Sequence, residues 1–137
     1  MSDNLDLVRW ICEMWERGEF RSTEWMHPRI EMMWTSPLRH GSTEGLAESK
    51  ERFRDLLSTF EAATFETEEI RDIDHERVLV LGHYTGRGKM SRLDVRTLGR
   101  EAALFHIDRG RVTKLVLYHD RDLAFADLGL APGADAT

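Results

Sequence analysis

The sequence predicts an α+β roll, a cone-shaped fold in which a curved antiparallel sheet packs on helices. Two observations indicate it. Apolar residues recur at helical spacing in the first half of the chain, whereas from about residue 63 their period approaches two, as in strands. The last strand then leads into a short amphipathic helix that is followed by Gly129. We therefore expect three helices in the N-terminal half, a bent sheet and a short C-terminal helix.

The helices are predicted from apolar spacing and from end signals. The first precedes Gly18, has Asp3 as its expected N-cap, and buries Leu5, Val8, Ile11, Cys12 and Trp15. A short second helix at 21–26 ends before Pro28, because proline disfavours a helical conformation in the residue before it. The third begins at residue 42 or 43. Its buried face is Leu46, Phe53, Leu57 and Phe60, and its solvated positions include Glu51, Arg52 and Arg54.

Strands are predicted over residues 29–35, 63–73, 77–86, 93–107 and 111–119. Simple alternation places Phe65 and Ile70 on opposite faces of one strand, so we expect a β-bulge between them. Residues 108–110 have the composition of a hairpin turn. Asp120 is the expected N-cap of the closing helix, and Gly129 is expected at its C′ position.

Length, charge and hydropathy limit the kinds of protein that this chain can be. A chain of 137 residues predicts a single domain, residues 1–130, with a disordered tail at 131–137. The net charge of −6 argues against nucleic acid as a partner. No apolar run approaches the roughly 20 residues that span a bilayer, and the acidic N-terminal segment does not resemble a signal peptide. A cytoplasmic protein without a membrane partner is expected, and its single cysteine, Cys12, predicts a buried, inert thiol.

Six segments carry a resemblance to a known family: 8–20, 27–31, 36–41, 78–82, 108–112 and 118–130. Through them, residues 5–130 resemble the nuclear transport factor 2-like superfamily, and more narrowly its SnoaL-like (polyketide cyclase-like) branch. The resemblance implies the roll, a pocket between helices and sheet, and a homodimer formed through the outer sheet face. It leaves the reaction open, since this superfamily contains isomerases, cyclases, dehydratases, epoxide hydrolases and binding modules.

The resemblance also narrows the chemistry. The proton-transferring positions of ketosteroid isomerase members fall near residues that cannot transfer a proton: Ile11, Met32 and Ala103. The Asp–Arg–Asp set of limonene epoxide hydrolase-like members falls on or around Gly82, Tyr84 and Leu117, so that set is missing. The acid/base aspartate of the SnoaL-type cyclases matches Asp120.

Three residues are the catalytic candidates. Asp120 can act as a base if burial raises its pKa, or it can serve only as a helix cap. Strand alternation places His119 on the pocket face, where it can act as an acid, a base or a donor, or merely line the rim. Tyr84 is in phase with Gly82, so its phenol can face the hollow and polarise a carbonyl, or it can be an ordinary core tyrosine.

The remaining candidates form an apolar pocket suited to a flat, hydrophobic ligand: Trp10, Trp15, Met32, Trp34, Leu56, Phe105 and Leu117. Plain core packing is the alternative for each of them. Glu101 points into the pocket or lies at a dimer interface, whereas His83 and His106 alternate toward the outer face. The histidines and the cysteine have no metal-ligand spacing, so neither a metal nor another cofactor is expected.

The leading hypothesis is therefore a small-molecule enzyme of the cyclase or isomerase type. It would use cofactor-independent acid/base catalysis on a hydrophobic, polyketide- or terpenoid-like substrate, with Asp120 as the base and His119 or Tyr84 holding the substrate oxygen. The alternative is a non-catalytic hydrophobic-ligand-binding or dimerisation module on the same fold. Water addition to an epoxide is a third, weaker hypothesis because the expected triad is missing.

Overall fold

A bent mixed sheet with two helices on one face and one on the other makes up the described part of the chain. The computed structural model describes residues 3–35, 41–57, 60–88, 94–96 and 101–130. Its elements are α1 (Asp3–Glu16), β1 (Met26–Thr35), β2 (Gly41–Glu44), α2 (Leu46–Leu57), β3 (Phe60–Asp72), β4 (Arg77–Gly88), β5 (Asp94–Arg96), β6 (Glu101–Asp108), β7 (Arg111–Tyr118) and α3 (Arg121–Asp127). The predicted α+β roll is confirmed. The predicted tail, 131–137, lies outside the described residues.

The sheet is mixed rather than purely antiparallel. Its strand order is β2-β1-β7-β6-β4-β3, and β5 pairs with β4. Every recorded pairing is antiparallel except that of β1 with β7, which is parallel and places Trp34 beside Leu117. A parallel pair needs a long connection, and here most of the fold lies between the two strands. Apolar alternation predicts that a strand exists and does not predict its direction, which is why the sequence missed this pairing.

The short helix predicted at 21–26 is absent, so the described N-terminal half has two helices rather than three. Residues 24 and 25 form a turn, and β1 already begins at Met26. The Trp25 indole donates to the carbonyl oxygen of Ser22 at 3.0 Å, and both Trp25 and Met26 are buried. Burial of these side chains outweighs weak local helix propensity. Pro28 lies inside β1, where the register with β7 shifts and an N–H is not needed.

A further strand occupies residues that were predicted to begin a helix. Residues 41–44 form β2 and pair with β1, with Trp34 opposite Gly41, and α2 begins only at Leu46. Thr43 is buried, and its hydroxyl group lies 2.9 Å from that of Ser49. This hydrogen bond satisfies both buried hydroxyls and joins the edge of the sheet to α2.

The helix ends follow the sequence signals closely. α1 and α3 each stop with a glycine of positive φ, Gly18 at 79° and Gly129 at 72°. In each case two backbone N–H groups past the end bond to carbonyls of the last turn, which is the Schellman arrangement. Asp120 caps α3 as predicted. Asp3 differs from the prediction, since it lies in the first turn of α1 instead of at the cap.

The predicted bulge in β3 is confirmed. The register with β4 shifts between Thr67 and Glu69, so Glu68 is the extra residue. The shift allows both Phe65 and Ile70 to pack on the core between the sheet and the two N-terminal helices. We call the sheet surface toward α1 and α2 the inner face, and the opposite surface the outer face.

α3 packs on the outer face. Ala124 and Phe125 are buried there, and with strand residues of β4, β6 and β7 they form a second apolar cluster. The expected homodimer was assigned to this same face, so any dimer must accommodate α3; the dimer itself stays a prediction. In the described part of the chain, the helices are too short and too polar to cross a bilayer.

An ion-pair network joins α3 to the bulge. The carboxylate of Glu68 lies 3.0 Å from His83 Nδ1 and 3.3 Å from a guanidinium nitrogen of Arg121. His83 is on the outer face as predicted, and it is buried. Burial alone would raise the pKa of Glu68, but the contacts with His83 and Arg121 outweigh it and lower that pKa below its usual value of 4.5.

The lowered pKa of Glu68 predicts a pH-dependent stability. A carboxylate whose pKa is lower in the folded chain stabilises it above the unfolded pKa, and this stabilisation is lost as pH falls through the folded pKa. We expect Glu68→Gln to lower the free energy of unfolding by about 0.5 kcal/mol at pH 7. The difference from wild type should shrink below the ordinary pKa of 4.5.

Urea unfolding between pH 3 and pH 7 measures this difference. Glu24→Gln is the matched control, because Glu24 is an exposed carboxylate in the turn before β1. A Glu68→Gln deficit that stays constant across the pH range would contradict the prediction.

Candidate functional site

Aromatic side chains fill the inner face beneath α1. Trp15, predicted as a pocket wall, is only 1% exposed. Its ring lies with centroids 5.7–6.0 Å from the rings of Phe20, Trp25, Phe53, Phe65 and Phe105. Such edge-on and tilted pairs stabilise beyond simple area burial. Trp15 and Phe105 are therefore core residues, in agreement with the alternative reading of the pattern, and the space beneath α1 is occupied.

Trp10 does not belong to this region. It is 38% exposed, on the solvent side of α1. The buried stripe of α1 runs through Val8, Ile11 and Trp15, and successive helical residues are about 100° apart, which places residue 10 well outside that stripe. The prediction of Trp10 as a pocket wall followed its residue type rather than its helical phase. Cys12 lies on the stripe, and burial raises the pKa of its thiol to about 11, so the thiol stays protonated at neutral pH.

Further along the inner face, the strand ends carry polar groups. We call this region the polar end and define it by Trp34 of β1, Tyr84 of β4, Glu101 at the start of β6, and Leu117 and His119 at the end of β7. Trp34 pairs with Leu117, and Leu117 pairs with Ala103. The register ends with Ala102 opposite Tyr118; Glu101 directly precedes Ala102, and His119 directly follows Tyr118. All five residues of the polar end are candidates from the sequence, and the sheet topology brings them to one end of the sheet.

Tyr84 and Glu101 interact electrostatically. The ring of Tyr84 is partly exposed, while its hydroxyl oxygen is buried. Burial raises the pKa of Tyr84 well above its usual value, and the negative charge of Glu101 raises it further. The phenol therefore keeps its proton throughout the physiological range and acts as a hydrogen-bond donor.

Gly82 and Phe65 set the position of Tyr84. The Phe65 ring lies 4.9 Å from the Tyr84 ring in an edge-on contact, and it occupies the space beside Gly82. A Cβ atom at residue 82 would lie against the carbonyl oxygen of Glu66 and 2.6 Å from a ring carbon of Phe65. Only glycine fits this position without displacing the backbone or the ring.

The apolar side chains beside these polar groups are those of Met32, Trp34 and Leu117. Met32 is fully buried, Trp34 is 7% exposed and Leu117 is 8% exposed. Within the described ranges, the indole nitrogen of Trp34 has no hydrogen-bond partner, although it is buried. The guanidinium of Arg52, on α2, lies 6.0 Å from the centre of the Trp34 ring. Leu56, another predicted wall, lies in α2, but its side chain is outside the described part of the structure.

The side chains of His119 and Asp120 both form hydrogen bonds with backbone groups. His119 is exposed, and its Nδ1 donates to the carbonyl oxygen of Thr35 at the end of β1. Asp120 accepts a hydrogen bond from the backbone N–H of Asp122 at 3.0 Å, which is the N-cap contact of α3. The cap reading of Asp120 is confirmed, and its role as a base stays a prediction.

Arg52 is the residue that sequence reasoning did not assign to the site. It was predicted as a solvated position of the helix, and it is exposed. Its contact with Trp34 depends on how α2 packs against β1, and no local pattern reports that packing. Elsewhere in the described residues, no three His, Cys, Asp or Glu side chains come close enough together to hold a metal ion.

Comparison with solved structures identifies the fold. A protein named for its likeness to SnoaL-type polyketide cyclases, from Jannaschia sp. CCS1, is 17% identical, with 92% of this chain and 90% of that chain covered and a TM-score of 0.73. An NTF2-like protein of unknown function from Burkholderia pseudomallei is 16% identical over 92% and 97% of the two chains, with a TM-score of 0.74. TerC, co-crystallised with polyporic acid, is 17% identical over 93% and 98%, with a TM-score of 0.70.

No protein-family model matches the chain, and no curated protein matches its sequence. The structural likeness alone shows that the chain has the nuclear transport factor 2-like fold, in the form found in SnoaL-like proteins.

Close packing at Gly82 predicts that an added methyl group there is destabilising. Because the Cβ would press on the Glu66 carbonyl and the Phe65 ring, Gly82→Ala should lower the free energy of unfolding by about 2 kcal/mol. Gly41→Ala is the matched control, since no atom lies within 4 Å of a Cβ at residue 41. Guanidinium unfolding of the two variants measures the contrast, and equal stabilities would show that Phe65 does not need this space.

Proposed function

We propose that this protein binds a small, largely apolar organic molecule at the polar end and transfers a proton on it without a cofactor, as cyclases and isomerases do. The observation that carries the proposal is the register of β6 with β4, in which Glu101 lies opposite Gly82, two residues before Tyr84, so that the charge of Glu101 helps to raise the pKa of the Tyr84 phenol. The neighbouring side chains are apolar, with Leu117 and Phe65 nearby. A donor, a carboxylate and apolar walls are the groups that enolate chemistry on a hydrophobic substrate requires.

The chemistry assigns one step to each group. The Glu101 carboxylate accepts a proton from the carbon next to a substrate carbonyl. The electron pair of the broken C–H bond moves toward the carbonyl oxygen and forms an enolate. The Tyr84 hydroxyl donates a hydrogen bond to that oxygen, where the charge develops. Return of the proton from Glu101 to another carbon completes an isomerisation. Alternatively, the enolate carbon attacks a second carbonyl and closes a ring, and the alkoxide formed from that carbonyl takes the proton from Glu101, which restores the carboxylate.

We assign the base to Glu101 because it is the carboxylate whose charge acts on the Tyr84 phenol. The Asp120 carboxylate caps α3, and His119 Nδ1 is hydrogen-bonded to Thr35. Glu101 is partly buried and lies on the strand next to both β4 and β7. The substrate class is supported by the fold, since one protein of this fold is named for SnoaL-type polyketide cyclases and another, TerC, was co-crystallised with polyporic acid.

Access to Tyr84 requires movement. Its hydroxyl oxygen is covered in the unliganded chain, so a substrate carbonyl reaches it only when the covering side chains are displaced. Displacement of this kind excludes water as the substrate enters, which strengthens the hydrogen bond to the enolate oxygen.

Hydrogen–deuterium exchange of 2-tetralone tests the proposal. This small bicyclic ketone has acidic protons next to its carbonyl, and their exchange in deuterated buffer is followed by NMR. We expect wild-type protein to accelerate exchange, and Glu101→Gln to reduce the accelerated rate by about 10²-fold through loss of the base. Tyr84→Phe should reduce the rate by about 10²-fold through loss of one donor to the enolate oxygen.

Glu31→Gln is the matched control for this assay, because Glu31 is a strand carboxylate on the far side of β1 from the inner face. Its rate should equal that of wild type. Unchanged exchange in Glu101→Gln would contradict the role assigned to Glu101.

Asp120 yields a separate prediction. As an N-cap, Asp120→Ala should lower the free energy of unfolding by about 1 kcal/mol, whereas Asp120→Asn should have little effect because asparagine also caps helices. Asp120→Asn should also exchange 2-tetralone at the wild-type rate. Thermal unfolding and the exchange assay measure the two effects, and an inactive but stable Asp120→Asn would transfer the role of base from Glu101 to Asp120.

A non-catalytic ligand-binding module is the second candidate. It is favoured by the hydrogen bonds of Asp120 and His119 to nearby backbone groups. This candidate predicts that 2-tetralone raises the melting temperature of the protein while its exchange rate stays that of buffer alone.

A further inference from the structure

We infer that the polar end holds its ligand by an acidic oxygen group at Trp34 and Arg52, at the opposite side of the site from Glu101 and Tyr84. This inference rests on the proposed function and specifies the ligand class as an elongated apolar molecule that carries a carboxylate or an acidic hydroxyl. It depends on two observations: among the described residues the indole N–H of Trp34 has no acceptor, and the guanidinium of Arg52 lies over the same ring.

The buried indole nitrogen is the first observation. Tryptophan N–H groups almost always find an acceptor when they are buried, and an unpaired one costs free energy. The Trp34 nitrogen has no acceptor among the described residues, although the side chain is 93% buried. Trp25, which is buried directly before β1, follows this rule, because its indole N–H donates to the carbonyl oxygen of Ser22. An acceptor supplied by a ligand would satisfy the Trp34 donor.

The charge of Arg52 is the second observation. Its guanidinium lies 6.0 Å from the centre of the Trp34 ring, within the range of a cation–π contact. In the part of the chain that the structure describes, no carboxylate lies within ion-pairing distance of it. A cation over the ring whose N–H lacks an acceptor favours an anionic oxygen as the ligand group, because charge-assisted hydrogen bonds are about twice as strong as neutral ones.

The spacing of the two polar groups sets the length of the ligand. Trp34 on β1 and Glu101 on β6 are separated by β7, and Glu101 is two residues further along the register. Two strand spacings of about 4.8 Å and two residues of about 3.3 Å place their backbones about 12 Å apart. Side chains that project from a concave face shorten this gap. A polycyclic molecule with its acidic group at one end and its reacting carbonyl toward the other matches this separation.

Paired binding measurements test the inference. Anthraquinone-2-carboxylate and anthraquinone-2-carboxamide have the same shape and differ in charge, and isothermal titration calorimetry gives the affinity of each. We expect wild-type protein to bind the carboxylate about tenfold more tightly than the carboxamide. Arg52→Met should remove this preference, because the variant loses the charge that distinguishes the two probes and therefore weakens the carboxylate about tenfold more than the carboxamide. Trp34→Phe should weaken both probes, because both offer an oxygen acceptor to the lost N–H.

Arg54→Met is the matched control, since Arg54 is an exposed arginine on the same helix that makes no recorded contact with Trp34. It should retain the wild-type preference. Equal affinities of the two probes for wild-type protein, or a preference that survives Arg52→Met, would overturn the inference and leave the proposed function intact. Failure of both probes to bind would overturn the proposed binding site itself.

Discussion

The packing of Trp15 against the aromatic rings around it is the constraint on which the rest of the structure depends. This one side chain joins α1 to α2 through Phe53 and to the sheet through Phe65 and Phe105. An indole that contacts rings on every side leaves little freedom to shift the helices relative to the strands. It also fills the inner face beneath α1, so the space there is closed to a ligand.

The β-bulge at Glu68 serves the inner and outer faces at once. On the inner face it restores the phase that lets Phe65 and Ile70 both contact the core. On the outer face the extra residue directs its carboxylate to His83 and Arg121, which attaches the start of α3 to the sheet. Bulges commonly redirect a side chain in this way. Because Asp120 and His119 immediately precede Arg121, the same contact holds one border of the polar end in place.

The fold was largely predictable from local patterns, and the exceptions have physical causes. Helical spacing predicted α1, and one conflict of phase between Phe65 and Ile70 predicted the bulge, because both signals are carried by neighbouring residues. The parallel pairing of β1 with β7 was not predictable, since strand direction depends on the path of the whole chain. The strand at 41–44 was missed because its buried residue, Thr43, contacts Ser49 of α2, and no local period reports that contact.

The sequence predicted which residues lie at the candidate site better than it predicted what each residue does there. Strand alternation placed Tyr84, Glu101 and His119 on one face, and the topology brings them to one end. Whether each side chain is available for chemistry depends on its local partners: Asp120 is used by the helix it begins and His119 by the carbonyl of Thr35. Arg52 could not be found from sequence, because its place over Trp34 follows from the packing of α2 alone.

The electrostatics of the polar end support one division of roles. A buried phenol beside a carboxylate has a raised pKa, so Tyr84 remains protonated and cannot serve as the base. Burial is the larger cause of the raised pKa and the negative charge of Glu101 adds to it; in the proposed reaction Glu101 would accept the proton. Once Glu101 is protonated, that charge moves to the substrate oxygen, toward which the Tyr84 hydroxyl can donate. In the proposed reaction the same pair would therefore keep Tyr84 protonated beforehand and place a hydrogen-bond donor beside the enolate.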